Sequence, residues 1–447
     1  MRKRATVCLI LLILPLAALA QKRPLSLDEA IAAGLDASPW LHASRMKAAA
    51  SAAKTREAAA GRLPTLRLGG GYTRLSQVPP FEVSLPIFPQ PVVVSRNYFN
   101  NWNLRLSLQQ PVFTGFRLEA ASASARELER ASSLDLEKDR SEFIFAVKGA
   151  YWGLARARDA AAVIEENIRQ VGEHLKDVRA FFEQGLLTKN EVLRAELQLS
   201  NTELMAIDAR NAVEVARTSL NSLIGLPVAT ELELTTSAES LASSLPEAGV
   251  AVPDAAAAQS LIDAALANRP EIRAAGFRIK ASEAGVKAAR AGWYPQVALA
   301  ANYYYLRPNS RLMPAQDRFY GTWDVGVAVS LDLWNWGLTK SQTEQARSQL
   351  AQARDGRKLL EDQAVLEVTQ SRLALAQARD KLKVSGQAVA QADENLRLVR
   401  DRFRQGVALN ADVLDAGVFL LQARLARTQA ATDLVLAQAR LEKALGQ

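Results

Sequence analysis

"FRQGVALNADVLDA" (403–416) nearly repeats "FEQGLLTKNEVLRA" (182–195), with Phe, Gln-Gly and Val-Leu-x-Ala in register. Gly185 matches Gly406 and Val192 matches Val413, an offset of 221 residues. Each copy interrupts a helix-forming tract once, at Gln184-Gly185 and at Gln405-Gly406, before a new helix start. Glycine there fits a C-terminal cap, where the chain takes a left-handed residue to turn back. Each copy therefore reads as the tip of an antiparallel helical hairpin, near 182–191 and near 403–412. Only the second copy carries a pair of aspartates, Asp412 and Asp415.

The tracts that lead to these tips are long. Proline is absent from Val112 to Leu226 and from Ala315 to the end, and both tracts are rich in Ala, Leu, Arg, Gln and Glu. Those residues favour helix, and proline would break it. The stretch from Gly115 to Gln184 amounts to roughly 105 Å of helix at about 1.5 Å per residue. A seven-residue repeat runs through Val147, Leu154, Ala161, Ile168, Leu175 and Phe182, and again through Val368, Leu375, Leu382, Val389, Leu396 and Phe403. Companions three residues on are mostly small, as at Ala150, Ala157, Ser371, Ala378, Ser385 and Ala392. That pattern predicts supercoiled helices in close approach.

The duplication extends over nearly the whole chain. "SPWLHASRMKAAASAAKTREAAAGRLPTLRLGGGY" (38–72) matches "RPEIRAAGFRIKASEAGVKAARAGWYPQVALAANY" (269–303) at an offset of 231. The change to 221 falls within the polar, Pro-rich stretch Ser76–Asn101, where a loop absorbs it. We expect two structural repeats, 21–245 and 246–447, forming one intertwined unit.

Four segments alternate with period two: 65–75, 102–112, 295–306 and 320–333. In the second, Trp102, Leu104, Leu106 and Leu108 oppose Asn103, Arg105, Ser107 and Gln109. A half-buried soluble strand gives the same alternation. The lengths, however, suit transmembrane strands, which carry aromatic girdles at both interfaces. Trp102 and Trp323 stand at one end of these segments. Phe113, Trp334 and Trp336 stand at the other, and Trp293-Tyr294 open the third. Four strands cannot close a barrel, and an open edge in lipid costs several kcal/mol per unpaired group. A membrane reading therefore implies a homo-oligomer.

The first residues, "MRKRATVCLILLILPLAALAQ", combine a basic head, a short apolar run and Ala18-Leu19-Ala20 before Gln21. This reads as a secretory signal peptide, 1–20, cleaved before Gln21. The sole cysteine, Cys8, leaves with it, which excludes disulfides and thiolate metal sites. His42 and His174 belong to no ligand-spaced cluster and read as helix-surface residues. We expect no metal and no cofactor. The formal charge of +8 falls to about +5 once Arg2, Lys3 and Arg4 leave. Its interleaved Arg and Glu read as a solvated helical face and not a nucleic-acid footprint. No nucleophile elbow or phosphate-binding loop is present, so the chain does not read as an enzyme.

The signal peptide, the duplication, the strand–strand–hairpin order, the tip pattern and the "LSLQQPVFTGFR" junction (106–117) together resemble the TolC family of outer-membrane efflux proteins. The fold this implies is mainly α with a small transmembrane β part. Long coiled-coil hairpins and four strands per chain would make a homotrimer with a twelve-stranded barrel above a periplasmic α-helical tunnel. Residues ~226–260 and the C-terminal end would form a belt around the tunnel, and Ser76–Asn101 and Arg307–Phe319 external loops. The function implied is an outer-membrane exit duct for tripartite efflux or type I secretion in a Gram-negative cell. Its partners would be outer-membrane lipid, a periplasmic adaptor and an inner-membrane pump of RND or ABC type. A non-conducting periplasmic coiled-coil scaffold is the rival reading.

The resemblance also assigns roles to the tips. Asp412 and Asp415 fall where the family rings its channel constriction with carboxylates. An i,i+3 pair projects from one helix face, and replicated in a trimer it stacks two rings that favour cations. The plainer reading of the pair is a favourable charge at a helix N-terminus. Gly185, Gly406, Phe182, Phe403, Arg404, Lys189 and Glu191 would form the periplasmic tip and the adaptor-docking surface. Family members hold the entrance shut with a Tyr and an Arg reaching an acid. The acid is kept here as Glu191, but Phe403 and Ala408 stand at the other two places, leaving Arg404 or Lys189 as substitutes.

Overall fold

A computed structural model describes residues 23–84, 86–95, 98–244 and 255–446 of the chain. The expected signal peptide with Cys8, Gln21 at its cleavage site, and residues 245–254 of the expected belt lie outside the described residues. The chain runs β1 (Arg23–Leu25), α1 (Leu27–Ala37), α2 (Pro39–Ala60), β2 (Thr65–Arg74), β3 (Phe81–Val83), β4 (Val92–Ser95), β5 (Asn100–Thr114), α3 (Arg117–Glu183) and α4 (Lys189–Leu223). It continues through β6 (Leu232–Leu234), α5 (Ala238–Ser244), α6 (Ala255–Asn268), α7 (Pro270–Ala289), β7 (Gln296–Arg307), β8 (Tyr320–Ser330), α8 (Leu338–Arg404) and α9 (Asn410–Ala444).

The Pro-free tracts fold as two matched hairpins. Both α3 and α8 have 67 residues, and both α4 and α9 have 35. The opening repeat ends α3 and α8 identically. Gly185 has φ +77° and Gly406 φ +75°, the left-handed region that glycine tolerates. Gly185 N–H donates to Phe182 O and Leu186 N–H to Phe181 O, each at 2.9 Å. Gly406 N–H donates to Phe403 O and Val407 N–H to Arg402 O, again at 2.9 Å. These paired bonds are the Schellman arrangement that satisfies the last helical carbonyls.

The fold separates into two compact units, each taking segments from both halves of the chain. Among the described residues the first comprises 23–41, 139–244, 255–265 and 365–446. In it the seven-residue repeat is the packing seam: Val147, Leu154, Leu175, Val368, Leu375, Leu396 and Phe403 are buried. Phe182 departs from the seam and is exposed, because Val178 and Phe181 fill the inward places of that last turn. A larger core gathers around Tyr151 and Trp152, both fully buried with Leu25, Phe143, Leu220, Ile224 and Leu232. Burying two such aromatics contributes on the order of 2–3 kcal/mol each. The Tyr151 hydroxyl donates to Leu25 O at 3.1 Å and accepts the Thr236 N–H at 3.2 Å. It thereby ties α3 to the segments flanking the parallel pair β1–β6.

The second unit, residues 42–138 and 266–364, holds an antiparallel sheet in the order β2-β5-β7-β8. β8 ends at Ser330 rather than 333, and the loop after β2 carries a small hairpin, β3–β4, that alternation alone does not reveal. Gly115, between β5 and α3, has φ +61°, and a Cβ there would lie 2.5 Å from Ala291 O. Backbone cannot retreat as a flexible side-chain end does. We therefore expect Gly115→Ala to destabilise this junction by about 2–4 kcal/mol, from positive φ and overpacking together. The readout is the denaturation midpoint of the purified protein; an unchanged midpoint would contradict this. No helix among the described residues is long and apolar enough to cross a membrane.

Candidate functional site

The tips carry a buried polar network that links three helices. Asn410, the first residue of α9, is 2% exposed, and His174 of α3 is 3% exposed. His174 Nε2 lies 2.7 Å from Asn410 Oδ1. Asn410 Nδ2 donates to Glu191 Oε2 at 2.9 Å and to Glu191 O at 3.1 Å, on α4. Because Nδ2 is a donor, Oδ1 is the acceptor, so His174 Nε2 carries the hydrogen. One asparagine therefore joins both hairpins. The network sits against Phe403, whose ring centroid is 5.0 Å from that of His174 and 5.4 Å from that of Phe181.

This arrangement corrects two expectations. His174 is not a helix-surface residue; it is buried, because the imidazole has polar partners inside the tip. Phe403 packs within the apolar tip core and is 3% exposed, so its ring offers no docking surface in this chain. His42, by contrast, is exposed on α2. Of the candidates for holding Glu191, Arg404 instead donates to Asp177 Oδ2 at 3.2 Å. Lys189 Nζ lies 5.9 Å from the centroid of the exposed Phe182 ring. Glu191 is met by Asn410, a residue that the sequence reading did not single out.

Burial holds the His174 imidazole below its usual pKa, with the Asn410 bond opposing and Arg400 reinforcing the shift. The charged groups around it are Arg400 and Arg404 on α8, Asp177 on α3 and, through Asn410, Glu191 on α4. A depressed histidine favours the fold while neutral. That stability is complete above the unfolded pKa of about 6.5 and falls as pH drops below it. We expect amide protection factors (exchange relative to the intrinsic rate at each pH) in residues 174–195 and 403–416 to be unchanged between pH 8 and 7 and to fall toward pH 5. His174→Gln keeps a donor and removes the titration, so its profile should be flat. Equal acid sensitivity in that variant would refute the assignment to His174.

The aspartate pair is exposed at the start of α9. Asp412 Oδ2 accepts the Leu409 N–H at 3.0 Å, so this carboxylate does cap the helix. Asp415, one turn deeper, makes no hydrogen bond or ion pair among the described residues. Capping thus accounts for Asp412 in part and leaves Asp415 without a structural task.

The sheet of the second unit is two-faced. Register places Leu66 opposite Leu108, Leu68 opposite Leu106, Leu104 opposite Tyr305, and Tyr303 opposite Trp323. Most side chains of this apolar face are exposed, including Val325, Val327 and Val329, while Val297 and Ala301 are half-buried. The other face carries Arg67, Asn103, Arg105, Ser107, Asn302 and Asp324. Aromatic groups bracket the strands. At one end Trp102 lies against Tyr72, ring centroids 4.6 Å apart, and Trp323 is exposed. At the other, Phe116 joins Phe113 at 5.2 Å and Tyr294 at 5.8 Å, with Trp293, Trp334 and Trp336 exposed nearby. From Trp102 to Phe113 a strand rises about 36 Å, or about 28 Å along the normal at a tilt of ~40°. That matches the roughly 25 Å apolar band of an outer-membrane barrel.

Comparison with known proteins agrees with this geometry. A family model described as "Outer membrane efflux protein" matches residues 31–226 and 261–447. The outer membrane efflux protein BepC of Brucella suis is 27% identical over 352 residues, covering 78% of this chain and 73% of that protein. The alkaline protease secretion protein AprF of Pseudomonas aeruginosa is 26% identical over 349 residues, covering 77% and 69%. Among solved structures, the outer membrane protein VceC of Vibrio cholerae superposes with a TM-score of 0.76 at 21% identity, covering 94% of this chain and 96% of that one.

Proposed function

From the chain's membership of the outer membrane efflux protein family, to which it belongs, we propose a passive exit duct across the outer membrane. The strands lie in the membrane and the helices in the periplasm. The duct serves tripartite efflux or type I secretion; its relatives include an outer membrane efflux protein and an alkaline protease secretion protein. The observation that carries this reading is the sheet: an exposed apolar face, a polar reverse face, aromatic ends, and two unpaired edges at β2 and β8. In lipid those edges must be paired, and four strands from each of three copies would close a twelve-stranded barrel. An exposed apolar stripe on α4, formed by Leu193, Leu197, Leu204, Ile207 and Val215, supports assembly through the helices as well.

Energy comes from an inner-membrane pump, and a periplasmic adaptor opens the tips. Each glycine cap is followed by an exposed apolar side chain, Leu186 after Gly185 and Val407 after Gly406. These matched projections, with Phe182, Lys189 and Arg404 beside them, form the adaptor-docking surface. Asp412 and Asp415, repeated in three copies, ring the constriction, and the Glu191–Asn410–His174 network holds it shut. Trp102, Trp323, Phe113, Trp293, Tyr294, Trp334 and Trp336 anchor the barrel at the two membrane interfaces.

Membrane fractionation followed by chemical cross-linking tests the assembly. The expected species needs detergent for extraction and cross-links as three copies. A monomer released without detergent would point to a periplasmic scaffold and overturn the duct.

A further inference from the structure

The polar face of the sheet contains an arrangement that conduction alone does not require. Arg105 Nε and Nη2 donate to Asn302 Oδ1 at 3.2 and 2.8 Å, and its guanidinium lies 5.2 Å from the Tyr304 ring centroid. Both partners are neutral: they fix the guanidinium in place without cancelling its charge. The nearby acid, Asp324, is already engaged. Its Oδ1 accepts from Asn302 Nδ2 at 2.8 Å and its Oδ2 from Arg311 Nη2 at 3.3 Å.

A second cation stands beside the first. Arg67 pairs opposite Ser107, two residues along β5 from Arg105 and on the same face. Such diagonal neighbours have Cβ atoms roughly 7 Å apart. Arg67 makes no hydrogen bond or ion pair among the described residues. Directly opposite Arg105 is Gly69, and opposite Asn103 is Gly71. A Cβ at either glycine would meet nothing within 4 Å. Two arginine positions thus adjoin a stretch of bare backbone. Like charges on such neighbouring side chains repel, and an anion between them turns that repulsion into attraction.

We propose that Arg67 and Arg105 form an oxyanion-binding site on the duct wall, selecting substrates that carry a carboxylate, sulfonate or phosphate group. The guanidinium fork matches the geometry of these groups, and the glycines let the ligand approach the strand closely. The site's place on a lumenal wall rests on the duct reading; its affinity for anions does not. In a closed barrel β2 would meet β8 of another copy, whose Asp324 is occupied by its own Arg311 and Asn302.

The test is fluorescence anisotropy of a trisulfonated pyrene dye titrated with the full-length, detergent-purified protein. Arg67→Gln/Arg105→Gln should weaken binding at least tenfold. Arg126→Gln/Lys340→Gln removes the same charge from exposed helix positions and should bind as the wild type does. Arg67→Lys/Arg105→Lys, which keeps the charge and loses the fork, should fall between. Affinity unchanged in the double glutamine variant, or lowered equally in the helix control, would overturn the site. Dye binding lost with Arg67 and Arg105 in a protein that passes no current would keep the site and remove the duct. Current with no dye binding would do the reverse.

Discussion

Asn410→Ala should raise the open fraction of the proposed duct roughly 100-fold, the equivalent of about 3 kcal/mol lost from the closed tip. The magnitude follows from what the substitution strands. It removes the acceptor of the buried His174 Nε2–H and the donor to Glu191, bonds of 2.7 and 2.9 Å. Leaving the buried His174 without its partner costs about 1–3 kcal/mol, and the half-buried Glu191 loses a bond worth about 1 kcal/mol more. The ion pair between Arg404 on α8 and Asp177 on α3 also links the two hairpins, but Arg404's side chain is 60% exposed. Exposed pairs contribute about 0–1 kcal/mol, so Arg404→Ala should shift opening by less than roughly fivefold. Single-channel open probability separates the two. If Arg404→Ala opened the duct more than Asn410→Ala, the surface pair and not the buried network would be the latch.

The second large effect belongs to the aspartates. Asp412→Ala/Asp415→Ala should weaken block by a trivalent cation at least tenfold, because two stacked carboxylate rings would both be lost. The single variants distinguish gate from cap. Asp412 also accepts the Leu409 N–H, so Asp412→Ala should weaken block and destabilise the start of α9 by about 0.5–1 kcal/mol. Asp415 has no such bond, and Asp415→Ala should weaken block with stability unchanged. Undiminished block in the double variant would return both residues to helix-terminus electrostatics.

Hairpins, seam and strand faces were legible because each is written as a period. The seven-residue spacing through Leu375, Leu396 and Phe403 predicts burial directly, and alternation through Trp102–Leu108 predicts which side is apolar. The latch was not legible, because His174, Glu191 and Asn410 meet only through hairpin pairing and share no spacing. Asn410 follows a glycine turn, where asparagine is unremarkable. The duplication even misleads at this point. Phe182 and Phe403 occupy matched positions, yet one is exposed and the other buried, since His174 and Phe181 pack only against the second. Repetition specifies the backbone of the two tips. The differences between them carry the proposed latch and the aspartate pair.

The most direct test of the duct is single-channel recording from the detergent-purified mature protein in planar bilayers. The account predicts small, cation-selective steps that a trivalent cation blocks from the tip side and that Asn410→Ala prolongs. Protein shown to be folded and membrane-inserted, yet giving no steps even with Asn410→Ala, would contradict it.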